Sequence, residues 1–159
     1  ISFSGDKVAI STYKGEDSYI GVVDVEDAQE TAAKEGEDEG GKEDEKNDDK
    51  TLGKKITSLD VLNGCKISSL NFSDDDGYVV VNYVKGNGTR FKVYQSGGSI
   101  VSLELDDIFA EEEYNLIYER IQDNNIIMNV TPIIKSNNTE SGLIGRYKIS
   151  LKDFKLEKL

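Results

Sequence analysis

One hairpin-like stretch occurs twice in the chain, and this repetition constrains the fold more than any other feature. Residues 3–25 read FSGDKVAISTYKGEDSYIGVVDV, and residues 72–94 read FSDDDGYVVVNYVKGNGTRFKVY. Each stretch contains a polar turn, an apolar run, a Lys-Gly turn and a second apolar run. Apolar runs that alternate with Gly-containing turns are typical of antiparallel β-strands. The chain is therefore predicted to be all-β.

The spacing of the copies indicates a regular unit. Lys14-Gly15 recurs as Lys85-Gly86, 71 positions later, and 46 positions remain once residues 26–50 are set aside. A fainter third copy consists of NNIIMNV at 124–130 and GRYKIS at 145–150, which echo GYVVVNY and TRFKVY of the second copy. A period of about 40–45 residues is that of four-stranded propeller blades. We assign the three units to residues 1–25, 51–105 and 106–159.

The second copy predicts the strands in most detail. The run Val79-Val80-Val81 is too apolar for a half-exposed strand, so we expect a central strand that packs on both faces, with Phe72 and Phe91 also buried. Asn87-Gly88 suits a type I′ hairpin turn. Residues 90–94 alternate charged and apolar side chains, which predicts an outer strand with one solvated face.

Four further segments complete the assignment. Residues 55–62 (KITSLDVL) are expected to form the outer strand of the first unit, and residues 65–73 the inner strand of the second. Residues 98–105 (GSIVSLEL) are expected to form the inner strand of the third unit. Residues 106–121 have apolar side chains partly at helical spacing, and the sequence leaves helix and strand open there.

Residues 26–50 differ in composition from the rest of the chain. They contain 12 acidic residues and 4 lysines, and therefore carry −8 of the net charge of −12. They hold no aromatic and no β-branched apolar residue, so they cannot bury enough surface to offset their conformational entropy. We interpret this acidic segment as a disordered loop insertion.

The order of inner strand, FS-D-DG turn, apolar central strand, Lys-Gly turn and outer strand resembles the WD40-like β-propeller blade. The resemblance is clearest at residues 56–105 and weaker at 1–27 and 106–159. It implies a partial propeller of about three antiparallel four-stranded blades. The family's Gly-His and Trp-Asp dipeptides are absent: YQSG at 94–97 stands where Trp-Asp would fall. A β-sandwich or barrel with similar hairpins stays open as the alternative.

Composition excludes several classes of activity. The chain has no histidine and no tryptophan, so serine-histidine or cysteine-histidine catalysis by this chain alone is excluded, and so is a zinc site with histidine ligands. Cys65 is the single cysteine, and we expect it to be a small buried residue. The net charge argues against direct binding to nucleic acid. No apolar run is long enough to span a bilayer, and we expect no enzymatic activity and no cofactor.

The chain contains two short motifs with known chemical roles. Consecutive acids at Asp74, Asp75 and Asp76 invite a calcium hypothesis, but calcium loops alternate their ligands, so a turn is expected here. Sequons of the form Asn-x-Ser/Thr begin at Asn71, Asn87, Asn129 and Asn137. Pro132 follows the third sequon and disfavours its modification. Candidate glycosylation sites are therefore Asn71, Asn87 and Asn137.

The sequence favours a non-catalytic scaffold in a larger assembly of protein subunits, in the cytoplasm or nucleus. Its acidic segment is a candidate site for a basic client, and the turn at residues 74–77 a second docking site. The candidate partner-binding residues are Glu37, Asp38, Glu39, Glu43, Asp44, Glu45, Asp74, Asp75 and Asp76. The alternative is a glycosylated β-domain with a structural role, in the endoplasmic reticulum lumen or secreted.

Overall fold

A computed structural model describes residues 1–2, 4–25, 56–134 and 140–159, which form three antiparallel sheets. Sheet A contains β1 (Lys7–Lys14), β2 (Asp17–Asp24) and β3 (Ile56–Asn63). Sheet B contains β4 (Lys66–Phe72), β5 (Tyr78–Lys85), β6 (Gly88–Gln95) and β7 (Ile100–Val101). Sheet C contains β8 (Tyr114–Gln122), β9 (Asn125–Pro132), β10 (Gly145–Ser150) and β11 (Leu156–Lys158). The short helix α1 (Leu105–Ile108) joins sheets B and C, and a 3₁₀ turn (Ser141–Leu143) lies between β9 and β10. The predicted all-β antiparallel class is confirmed.

Each sheet is built from strands that are consecutive in the chain and pair with their neighbours. Two-residue loops close the β1–β2, β5–β6 and β8–β9 hairpins, where Lys14 pairs with Asp17, Lys85 with Gly88 and Gln122 with Asn125. Within the described ranges, every sheet keeps two free edges, and none closes into a barrel.

Sheet B lies between the other two sheets. Val79 and Val81 belong to a core cluster that includes Ile20 and Leu59 of sheet A. Val80 belongs to a second cluster that includes residues of sheet C. All three valines are fully buried, so the predicted central strand with two packed faces is confirmed. Phe91 is buried as expected, whereas Phe72 is only half-buried.

The sequence repeats correspond to equivalent strands. β1, β5 and β9 contain the apolar runs of the three copies, and β2, β6 and β10 follow them in the same order. In sheets B and C an additional strand, β4 or β8, pairs with the free side of β5 or β9. Among the described residues, sheet A has no strand in that first position.

The hairpin turns differ from the prediction at Asn87-Gly88. Lys85 pairs with Gly88, so the loop residues are Gly86 and Asn87. Gly86 has φ +59°, as the first loop residue of a type II′ turn requires, and Gly15 has φ +65° at the equivalent place. Positive φ at both loop residues, the mark of type I′, occurs instead at Asp123 and Asn124.

Two strand assignments are corrected, and one open assignment is resolved. Residues 98–105 do not form an inner strand of the third unit: Ile100–Val101 pairs with β6 at the edge of sheet B, and β8 is the first strand of sheet C. Residues 106–121, for which the sequence left helix and strand open, contain the end of α1 and, from Tyr114 onwards, most of β8. β6 is not an outer strand, because it pairs on both sides and most of its residues are buried.

The echo between TRFKVY and GRYKIS is displaced by one residue in the structure. Phe91 pairs with Asn82, whereas Tyr147 pairs with Met128, the counterpart of Val81. Since adjacent residues of a strand point to opposite faces, the two aromatic side chains lie on opposite faces of their sheets.

Candidate functional site

The turn at residues 73–77 is held by its own side chains. The Ser73 hydroxyl donates to Asp75 Oδ1 at 2.6 Å, and the Gly77 N–H donates to the same oxygen at 3.0 Å. These two hydrogen bonds, that of Ser73 first, lower the pKa of Asp75. The Asp75 carboxylate therefore closes the turn that leads from β4 to β5.

Asp76 connects this turn to the segment before β1. Its backbone has φ +57°, and its Oδ2 accepts a hydrogen bond from the Ser4 N–H at 2.9 Å. Ser2 links the same segment to β1, since its N–H donates to the carbonyl of Lys7, the first residue of that strand, at 2.8 Å. The Asp76 side chain thus fastens the start of sheet A to sheet B.

Asp74 is exposed at the edge of a cleft of about 350 Å³ between β4 and β8. The cleft is lined by residues that include Leu70, Phe72, Asp74, Tyr118, Arg120 and Ile121. Burial raises the pKa of Tyr118, and the negative charge of Asp74 adds to this rise. The three aspartates therefore have three different surroundings, and no cluster of acids that could hold a metal ion occurs in the described part of the chain.

The glycosylation candidates have different environments. Asn87 is exposed in the β5–β6 turn, beside a cleft of about 310 Å³ that Asn115, Ile133 and Ile134 also line. Asn71 is half-buried in β4, and its Nδ2 donates to Ser69 Oγ at 3.1 Å. Asn137 lies outside the described residues. Asn87 is therefore the more accessible of the two described sites.

The acidic candidates Glu37, Asp38, Glu39, Glu43, Asp44 and Glu45 lie outside the described residues, as does the whole segment 26–50. In the chain, this segment lies between two strands of sheet A, since β2 ends at Asp24 and β3 begins at Ile56.

Sheet A has an apolar face that the sequence analysis missed. The pairing places Val8 beside Val23, Val23 beside Ile56, and Tyr19 beside Val61. Ile10 and Ile56 converge over Gly21, where an added Cβ would lie 3.9 Å and 3.0 Å from their side chains. We name these residues the outward face of sheet A: Val8, Ile10, Tyr19, Val23, Ile56 and Val61. The opposite face, with Ile20 and Val22, packs against sheet B.

The outward face of sheet A remains open within the described residues. Tyr19 is 39% exposed, Ile56 46% and Val61 38%. The equivalent positions of the other sheets are covered: Val79, Val81 and Tyr94 correspond to Val8, Ile10 and Val23, and all three are fully buried beneath sheet A. In sheet C the corresponding Ile126, Met128 and Ile149 are buried against sheet B.

The outward face of sheet C has a different chemistry. Arg146 Nη2 pairs with Glu119 at 2.6 Å, and Lys148 Nζ pairs with Glu157 at 2.8 Å. Ile117 is an apolar residue on this face and is 37% exposed. Sheet C therefore ends the stack with charged side chains, while sheet A ends it with aliphatic and aromatic ones.

The remaining reactive groups have structural surroundings. Cys65 is buried as predicted, and burial raises the pKa of its thiol. Tyr94 donates its hydroxyl to Asp60 Oδ2 at 2.7 Å, and burial followed by this hydrogen bond raises the pKa of Tyr94. Arg90 is buried and donates to the carbonyls of Tyr114 and Phe109 at 3.0 Å and 2.8 Å.

Within the part of the chain that the structure describes, no α-helix combines the length and the hydropathy that a transmembrane segment requires.

No protein-family model and no curated protein matches the chain. Among solved structures, the chain is similar to the 1.18 Å crystal structure of the uncharacterized protein lmo1340 from Listeria monocytogenes EGD-e. The TM-score is 0.49 and the sequence identity 10%, and the match covers 99% of this chain. The chain spans 38% of the length of that protein.

Proposed function

We propose that the protein is a non-catalytic interaction module that packs against another β-sheet in a larger assembly. The observation that carries this proposal is the outward face of sheet A. Three of its residues, Val8, Ile10 and Val23, are equivalent to residues that are fully buried between sheets B and A and between sheets C and B. A solvent-exposed apolar patch is typical of a protein–protein contact.

The arrangement of the sheets supports a propeller-like assembly. Consecutive strands form each sheet, sheet B packs on both faces, and the equivalent strands keep one order in all three sheets. Blades of a WD40-like propeller have this construction, and a further sheet on the outward face of sheet A would continue the stack. In this proposal the partners are other protein subunits, one of which supplies the sheet that packs on the outward face of sheet A.

The test compares the two end faces of the stack in the cells that produce the protein. The double variant Tyr19→Ser/Val61→Thr makes the outward face of sheet A more polar. The new threonine is β-branched like the valine it replaces, so it still favours a strand. Ile117→Thr makes a matched change on the outward face of sheet C. We expect the tagged wild type and Ile117→Thr to sediment in a large complex, and the double variant to sediment as a free monomer.

Purified variants must first show thermal midpoints close to that of the wild type. A wild-type protein that sediments as a monomer would contradict the proposal, and so would a folded double variant that stays in the complex.

The acidic segment adds a second proposal, the capture of a basic client. It rests on the charge of −8 within residues 26–50, because such a charge accelerates encounters with a positive partner. The test measures the association rate of a lysine-rich peptide at low and high salt, where the Debye length falls from about 10 Å at 0.1 M to about 3 Å at 1 M.

We expect the variant Glu37→Lys/Asp38→Lys/Glu39→Lys to associate several-fold more slowly at low salt, and Asp74→Lys to associate at the wild-type rate. Equal rates for the wild type and the triple variant would rule out the client site. Slower association of Asp74→Lys would assign docking to the turn at residues 74–77.

A further inference from the structure

The chain contains two Asn-Gly pairs, Asn63-Gly64 and Asn87-Gly88. In such a pair the main-chain nitrogen of the glycine can attack the side-chain carbonyl carbon of the asparagine, because glycine has no Cβ to hinder the close approach. The reaction changes the asparagine into an acidic residue without an enzyme. The fold gives the two pairs different surroundings, so they are not expected to react alike.

Asn87-Gly88 is held by a regular hairpin. Gly88 is the first residue of β6 and pairs with Lys85 across the two-residue loop, at the end of eight residue pairs that run without a register shift. Gly88 is also buried: an added Cβ would lie 3.4 Å from Ile133 Cδ1 and 3.6 Å from the Glu111 carbonyl oxygen. Its nitrogen can therefore reach the Asn87 side chain only if this hairpin opens.

Asn63-Gly64 is open to solvent. Asn63 ends β3, and both residues are exposed. The side-chain amide of Asn63 forms no hydrogen bond with a described residue, and a Cβ added to Gly64 would meet no atom within 4 Å. One hydrogen bond holds the Gly64 nitrogen, since its N–H donates to the Glu16 carbonyl at 3.1 Å. A bond at the exposed end of a sheet opens at low free energy, and its opening frees the nitrogen to react.

The surroundings of Asn63 make the product of this reaction unfavourable. Asn63 stands directly opposite Asp17, and Asp17 stands directly opposite Lys14. Directly opposite residues share one face of a sheet, and like charges in that position are destabilising. The row is neutral with asparagine at its end. A carboxylate there would give it one positive and two negative charges, and Glu16, next to Asp17 in the chain, would add to the repulsion.

We propose that Asn63-Gly64 is a site of spontaneous modification, where Asn63 becomes aspartate or isoaspartate and weakens the end of the β2–β3 pairing. The Gly64 nitrogen forms a bond to Asn63 Cγ while the bond from Cγ to Nδ2 breaks. Nδ2 leaves as ammonia with the proton that the Gly64 nitrogen loses. This inference does not depend on the proposed interaction of sheet A.

Water completes the reaction by opening the cyclic imide. Addition of water at Cγ breaks the newly formed bond to nitrogen and gives aspartate. Addition at the main-chain carbonyl carbon of residue 63 breaks the original peptide bond and gives isoaspartate, whose main chain runs through Cβ and Cγ. Both products carry the new carboxylate, and isoaspartate also lengthens the main chain beside Asp17.

The first experiment follows both pairs in one sample. The purified chain is incubated at neutral and mildly alkaline pH and digested at acidic pH, and mass spectrometry quantifies the peptides that contain each pair. We expect Asn63 to convert at least about tenfold faster than Asn87, because Gly88 is freed only by a larger opening. The rate should rise with pH, since the Gly64 nitrogen must lose its proton. In concentrated guanidinium chloride the two pairs should convert at similar rates.

The second experiment measures the effect of the product on stability. Asn63→Asp carries the new charge, and Asn63→Ser is its uncharged control. We expect Asn63→Asp to have a thermal midpoint about 2–4 °C below that of Asn63→Ser at low salt. The difference should shrink at 1 M salt, where charges are screened. The matched comparison of Asn87→Asp with Asn87→Ser should show no such loss.

Three results would overturn the proposal. The first is conversion of Asn63 in the folded protein that is no faster than that of Asn87. The second is a preference for Asn63 that persists unchanged in guanidinium chloride, which would assign the preference to the flanking residues and not to the fold. The third is equal stability of Asn63→Asp and Asn63→Ser at low salt.

Discussion

Arg90 anchors the connection between sheets B and C. Its side chain is 3% exposed, and it forms an ion pair with Asp106 in addition to its bonds to the carbonyls of Tyr114 and Phe109. The Asp106 carboxylate is 76% exposed, so water solvates it with or without the arginine. If the guanidinium is removed, the buried carbonyls of Tyr114 and Phe109 lose their donor, and water does not reach them to replace it.

We therefore expect unequal effects from the two halves of this ion pair. Arg90→Met should lower the free energy of unfolding by about 3 kcal/mol, because it leaves two buried carbonyls without their donor. Asp106→Asn should cost about 1 kcal/mol, because the arginine keeps both carbonyls. Urea denaturation of the two variants measures the difference, and equal losses would show that the charge pair outweighs the carbonyl contacts.

Tyr83 gives the stability of the fold a dependence on alkaline pH. Burial raises the pKa of Tyr83 to about 12. The raised pKa means that the folded state favours the neutral phenol, so this contribution is fully present below the unfolded pKa of about 10 and is lost as pH rises towards 12.

The free energy of unfolding of the wild type should therefore fall between pH 10 and 12. Tyr83→Phe should reduce this slope by up to about 1.4 kcal/mol per pH unit. Urea midpoints at pH 8, 10 and 11 provide the measurement. A slope unchanged by the substitution would mean that the phenol ionises without cost in the folded protein.

At the scale of elements, the hairpin loops depend on glycine only where φ is positive. Gly86 has φ +59° and no atom within 4 Å of an added Cβ. Gly97 also has open space around it, but its φ is not in the left-handed region. Gly86→Ala should cost about 1 kcal/mol, the cost of left-handed backbone for an L-residue, and Gly97→Ala should change stability by less than about 0.5 kcal/mol. Thermal unfolding of both variants tests this prediction. Equal midpoints would show that the positive φ of Gly86 does not make alanine unfavourable there.

The sequence predicted the elements whose side chains follow a simple period. Val79, Val80 and Val81 identified β5 because a run of three apolar residues fits a strand covered on both faces. β8 escaped a firm assignment for a physical reason. Its pairing shifts between Tyr118 and Arg120, so the bulge moves later apolar residues such as Ile121 out of the two-residue period and towards helical spacing.

The candidate surfaces were less predictable than the strands. Asp76 belongs to a turn that the sequence identified, but its contact with Ser4 joins residues 72 positions apart. The outward face of sheet A combines side chains from β1, β2 and β3, and no single strand shows that this face is the open one. The alternation of charged and apolar residues placed Arg90 on a solvated face. Its burial depends mainly on hydrogen bonds to main-chain carbonyls, and a sequence pattern does not reveal such partners.

At the scale of the whole molecule, residues 26–50 join two neighbouring strands of sheet A and, by composition, are not expected to contribute to its core. We expect that replacing them with a six-residue Gly/Ser linker changes the free energy of unfolding by less than about 1 kcal/mol, because loop closure depends weakly on length. Thermal unfolding of the shortened chain provides the measurement. A large loss of stability would show that this segment packs against the sheets.

The central place of sheet B has a consequence for the order in which the protein opens. Sheets A and C can each separate from one face of sheet B, whereas sheet B can lose its structure only after both neighbours have left. Amide hydrogens of β5 should therefore exchange with solvent only through global unfolding, and those of β1 and β11 through smaller openings of lower free energy. Native-state hydrogen exchange at increasing denaturant would rank the sheets, and β5 amides that exchange as readily as those of β1 would contradict this order.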